Sequence, residues 1–149
     1  MRKGVTDDPK AVSDLLARTD VLWLALTDEN GPHCVPVNFA EEDGVIYIHS
    51  GRKGRKAACL DSGNRVAFSA AIDIEKRKGG DNACDQGYRF KSVMGSGTPR
   101  ELTGDDKMHG LDLIAFKHMG RQLPYVDKVL PITAVYAIDI AEATARIKE

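Results

Sequence analysis

The sequence predicts a mainly β domain: a small barrel of about six antiparallel strands with two or three helices at its periphery. Short apolar runs recur through the first half of the chain, separated by the turn signals Asn30-Gly31 and Asp43-Gly44. Helical spacing is confined to a segment near the N-terminus and one that follows Thr103. A chain of 149 residues suits a single domain and buries roughly two thirds of its unfolded surface.

Asp8 and Pro9 open the first helix, one as cap and the other in the first turn. Val12, Leu15 and Leu16 then give it one apolar stripe, ending near Arg18. VLWLALT (21–27) is apolar on both faces, as a central strand would be, with Trp23 as a core anchor. The return strand HCVPVNFA (33–40) carries Pro36, which removes a ladder donor and confines it to an edge, a bulge or an unpaired seam. VIYIHS (45–50) completes a meander, and a short helix after it closes at Gly63.

RVAFSAAI (65–72) reads as a fourth strand. Residues 73–86, rich in charge and glycine, read as a mobile loop or lid. YRFKSVMGSGTPREL (88–102) is a strand whose Gly95 and Gly97 allow close approach. Thr103 and Asp106 make a capping-box-like start for a helix that ends at Met119, with Gly120 just past it. The last strand runs within 130–140, and the tail AEATARIKE is polar and helix-prone.

A net charge of −1 argues against wholesale nucleic-acid binding, and 42% hydrophobic with 29% charged residues describes an ordinary globular protein. Cys34, Cys59 and Cys84 form no C-x-x-C, so neither a zinc site nor a disulfide framework is indicated; Cys34 and Cys59 read as small core residues. His33, His49, His109 and His118 lack metal-ligand spacing, and the last two fall on a surface helix as solvated side chains. There is no signal-like or membrane-spanning apolar run, so the cytoplasm is the expected compartment.

The stretch with the clearest chemistry is VIYIHSGRKGRK (45–56), a strand that emerges into Ser50, Gly51, Gly54 and the cations Arg52, Lys53, Arg55 and Lys56 before a helix. Glycines permit close backbone approach, free amides at a helix start face outward, and the cations supply charge: these are the parts of an anion site. A solvated basic turn is the competing reading, and a nucleic-acid contact would need a wider positive face with exposed aromatics. No hydrolase triad, Walker loop or dinucleotide fingerprint is present.

The order VPVNF, YIHSGRKGRK, NRVAFS, YRFKSVMGSGTPREL resembles the split β-barrel flavoproteins related to pyridoxamine 5′-phosphate oxidase, most of all their nitroimidazole-resistance branch. The resemblance implies FMN at a two-fold homodimer interface. Val35, Pro36, Val37 and Asn38 would then line the flavin ring, His49 and Ser50 would meet its chain or phosphate, Arg55 and Lys56 would bind the phosphate, and Ser92 would face the cofactor. His49 is also a candidate proton donor, beside a structural role. The ending ARIKE differs from the Arg-Leu-x-Pro-type tail of the true oxidases, so vitamin B6 oxidation is not expected. The implied activity is transfer of electrons from a small-molecule donor to a small acceptor such as a nitroaromatic. A flavin or haem carrier without turnover is the alternative.

Overall fold

A computed structural model describes residues 1–148. Its elements are β1 (Val5–Thr6), α1 (Pro9–Ala17), β2 (Val21–Asp28), β3 (Gly31–Asn38), β4 (Ala40–Glu42), β5 (Val45–Gly51), α2 (Arg55–Asp61), β6 (Val66–Arg77), β7 (Gly87–Leu102), α3 (Gly104–Met119) and β8 (Thr133–Lys148). The strands form one antiparallel sheet in the order β3-β2-β6-β7-β8-β5-β4, with β1 added on β8. The sheet curls until β3 stands beside β5 without pairing to it, which leaves the barrel split along that seam. Pro36 sits on this edge strand, where its missing donor breaks no outer ladder.

The described residues form eight strands rather than about six. The additional two, β1 and β4, hold 2 and 3 residues, too few to show a period-two pattern. The tail expected to be helix-prone is, as far as Lys148, the second half of β8, held between β7 and β1 with Ala145 buried, and Glu149 lies outside the described residues. Two ladders outweigh a weak helical propensity there. The expected lid is also shorter. Residues 74–77 continue β6 past a bulge at Asp73, whose φ is 52° and whose carboxylate is held by Arg18 at 2.8 Å and Lys91 at 3.4 Å.

Alternation places Leu22, Leu24, Leu26, Ile46, Ile48, Phe68, Val93 and Ile138 inside the barrel, where α1 adds Val12, Leu15 and Leu16. Each such side chain contributes roughly 1.5–3 kcal/mol of burial free energy. Tyr136 lies in this core with its hydroxyl donating to Asp61 at 2.6 Å. A second cluster forms outside the barrel where α3 covers β5 and β8, built from Leu102, Leu111, Val135 and Ala137. Gly95 and Gly97 let β7 lie tightly on β8: a Cβ at Gly95 would run into the Glu142 carbonyl oxygen and the Phe68 ring.

The helix ends follow local rules. The Asp8 carboxylate accepts from Lys10 N at 3.2 Å, and Gly120 ends α3 with φ 72°. Thr103, by contrast, makes no side-chain cap. Lys117 fastens α3 to the rest: its ammonium donates to Leu16 O at 3.1 Å and Thr19 O at 2.6 Å, and lies 3.6 Å from the centre of the Phe39 ring. Burial pulls its pKa down to about 8, against the opposing pull of Asp20 and Glu41. No helix among the described residues is long and apolar enough to cross a membrane.

Candidate functional site

With the even-numbered residues of β2 inside, Val21, Trp23 and Ala25 point out. Register carries that face across the sheet: Cys34, Pro36 and Asn38 on β3; Ala67, Ser69 and Ala71 on β6; Ser92, Met94 and Ser96 on β7. The result is an apolar groove of about 500 Å³ walled by Trp23, Cys34, Phe68 and Met94. Trp23 is 51% exposed and Met94 59%. Trp23 is therefore not a core anchor, and Cys34 is not a core residue, because a strand apolar on both faces has only one face in the barrel. An exposed tryptophan inside an apolar groove is the usual mark of a surface that binds something.

The residues of β3 divide by parity. Pro36 and Asn38 lie on the outer face, whereas Val37 is buried and Val35 packs against the core. Asn38 holds the end of its strand by donating to Asp20 O at 3.3 Å.

The basic turn begins where β5 passes into α2. Gly54 caps α2 with φ 104°, a conformation that favours glycine, and a Cβ there or at Gly51 would meet nothing within 4 Å. The turn's backbone thus faces open space. Arg55 reaches back to the β2–β3 hairpin, donating from Nε and Nη2 to the Asp28 carboxylate at 2.8 and 2.9 Å and from Nη2 to Gly31 O at 3.2 Å. That contact holds the Asp28 pKa down at about 2. Arg52 is also committed, to Pro131 O at 2.7 Å and Glu101 at 3.2 Å. Lys53 and Lys56 take part in none of the ion pairs among the described residues. Ser50 turns inward, 6% exposed, with its hydroxyl donating to Gly51 O at 2.8 Å.

His49 points outward from β5 into a cleft of about 320 Å³ shared with Asn38 and with Leu111, Ile114 and His118 of α3. Desolvation lowers its pKa, and the neighbouring charges of Lys56 and His118 lower it further. His118 is not solvated. Its Nε2 lies 3.0 Å from Phe39 O, an atom that only accepts, so Nε2 carries the proton. Its position had a legible signal: with Leu111 and Ile114 it falls at i, i+3, i+7, on the inward stripe of the helix. His109 is likewise engaged, 2.8 Å from Glu42 and edge-on to Tyr47.

The structure therefore gathers Pro36, Asn38 and Ser92 on one sheet face, and Asn38, His49 and Lys56 around the end of the seam. Arg55 braces this region, and Val35, Val37 and Ser50 support it from within.

The profile of a family described as pyridoxamine 5′-phosphate oxidase matches residues 8–147. No curated protein matches the chain in sequence. Among solved structures, a proposed 5-nitroimidazole antibiotic resistance protein from Bacteroides thetaiotaomicron is similar over 96% of this chain and 86% of its own, with 25% identity and a TM-score of 0.83. The FAD and haem binding protein from Mycobacterium smegmatis shares the fold at a TM-score of 0.88 and 18% identity, over 99% of this chain and 74% of its own. The flavocytochrome Anf3 from Azotobacter vinelandii does so at 0.84 and 20%, over 98% and 70%.

Proposed function

The chain belongs to the pyridoxamine 5′-phosphate oxidase family, and from that premise we propose that it is an FMN-dependent oxidoreductase that passes electrons to a small acceptor such as a nitroaromatic. One observation carries the reading: the open seam has the free outer edge of β3 on one side and a basic turn with uncommitted lysines on the other. The donor set fits the cofactor. An apolar groove suits a flat ring, an edge strand has backbone groups to offer its polar rim, and Lys53, Lys56 and the amides at the start of α2 suit a phosphate dianion.

Bound flavin supplies the redox chemistry, accepting a hydride and releasing electrons to the acceptor. The chain's own residues do the rest. Arg55 holds the β2–β3 hairpin against α2 and so fixes the spacing between edge strand and turn. Trp23 and Met94 offer apolar surface on the outer face against which a flat ring can pack. His49, with its lowered pKa, holds its proton only at acidic pH and can deliver it there to an acceptor in the cleft. A second copy of the chain, packed on the outer face, would complete a homodimer with the flavin at its interface.

The test is to purify the protein, record its visible spectrum, reduce it anaerobically, and mix it with a nitroimidazole, a quinone or pyridoxamine phosphate. Rapid reoxidation by the first two alone supports the proposal. A colourless protein that takes up no FMN sinks it, as does efficient turnover of pyridoxamine phosphate. A flavin-bound or haem-bound protein that no acceptor reoxidises points to a carrier instead.

A further inference from the structure

β6 and β7 outrun their neighbours. β2 pairs with β6 only as far as Ser69, and β8 reaches β7 only at Phe90. Beyond them, among the described residues, the two strands continue alone as a ribbon, pairing Glu75 with Arg89, Lys76 with Tyr88 and Arg77 with Gly87. An isolated two-stranded ribbon is marginal in water, and this one concentrates like charge.

Lys76, Arg77, Lys78 and Arg89 line one cleft of about 320 Å³, with Glu75 as its single acidic wall. None of these five takes part in an ion pair among the described residues. Arg18, Arg52, Arg55, Arg65 and Arg100 each rest on a carboxylate. Among the described residues, four cations without an ion pair stand beside one carboxylate, a formal excess of three positive charges in a small concavity. A compact dianion would relieve that repulsion and accept several donors at once.

We propose that this cleft binds the phosphate of a small nucleotide, namely the 2′-phosphate of a reduced nicotinamide adenine dinucleotide phosphate. Its part as electron donor rests on the flavin reading above; the phosphate site itself does not. A small ligand fits better than nucleic acid because this positive patch is confined to a cleft of about 320 Å³ on a chain of net charge −1. Asp81 and Asp85 follow the cleft residues closely in the chain, and their charge disfavours an extended polyanion there.

The experiment is calorimetric titration of the whole protein with NADP⁺, NAD⁺, inorganic pyrophosphate and a single-stranded oligonucleotide. NADP⁺ should bind about tenfold more tightly than NAD⁺ at low ionic strength, with the gap closing as salt is added. Arg77→Ala combined with Arg89→Ala should erase the preference, whereas Tyr88→Ala, outside the cleft, should leave it intact. Equal affinity for the two dinucleotides overturns the site, as does a preference that survives the double substitution. Tighter binding of the oligonucleotide overturns it in favour of nucleic acid. Flavin absorbance of the same samples separates the two readings: selectivity for NADP⁺ on flavin-free protein supports the phosphate site and removes only its donor role. Flavin-bound protein without selectivity overturns the phosphate site alone.

Discussion

Lys56→Ala and Arg55→Ala, neighbouring substitutions in the same basic turn, should weaken flavin binding in different ways. Lys56 is half-buried, has no carboxylate partner among the described residues, and lies close enough to His49 to lower its pKa. A charge-assisted contact from its ammonium to a phosphate contributes roughly 1.5–3 kcal/mol. Removing it should raise the Kd for FMN by about 10- to 150-fold. Riboflavin, without the phosphate, should bind as before. Arg55 already gives Asp28 two donors and Gly31 O a third contact. Its loss releases the hairpin and leaves the Asp28 carboxylate uncompensated beside the turn. Arg55→Ala should therefore weaken FMN and riboflavin together, with FMN suffering more through repulsion from Asp28. Adding Asp28→Asn should recover part of the FMN loss. Fluorescence-quenching titrations with both flavins measure all of this. Equal losses of FMN and riboflavin in Lys56→Ala would refute the phosphate assignment, unchanged riboflavin binding in Arg55→Ala would refute its bracing role, and no rescue by Asp28→Asn would refute the repulsion from Asp28.

The His49 pKa in the folded protein lies below its ordinary 6.5, so the unfolded chain binds more protons in the window between the two values. Stability should fall as pH drops through that window, and His49→Gln should flatten the fall in denaturant titrations. If His49 also delivers the proton, reoxidation by a nitro acceptor should accelerate over the same window in the parent protein only. Lys117→Ala strips the donor from Leu16 O and Thr19 O and the cation from the Phe39 ring. It should cost about 1–3 kcal/mol in urea unfolding, and a change near zero would show that the clamp contributes nothing. Trp23→Glu places a charge in the outer groove; light scattering should report the mass of two chains for the parent and of one for the variant, and an equal mass for both would remove the outer face from the proposed interface.

Much of the fold was legible locally. The turns at Asn30-Gly31 and Asp43-Gly44 set the first hairpins because few residues adopt their dihedrals, and Asp43 and Gly44 do show φ of 51° and 79°. Pro36 announced an edge, since a residue without a donor cannot sit inside a ladder. Pro9 and Gly120 marked helix ends for equally local reasons. The basic turn, too, was visible as a run of residues between a strand and a helix.

Only the tertiary structure decided which face of each strand meets the core, and with it the exposure of Trp23 and Cys34. It also decided that the polar tail would be a strand, because β7 and β1 were there to pair with it. The same holds for the commitments of the charged residues. Arg55 met Asp28 across 27 positions, and His118 met Phe39 across 79. A period of two shows that a strand has two faces and a helical stripe that one side is buried, but neither names the partner. That choice belongs to contacts between distant segments, and they exist only once the sheet has curled and α3 has closed over it.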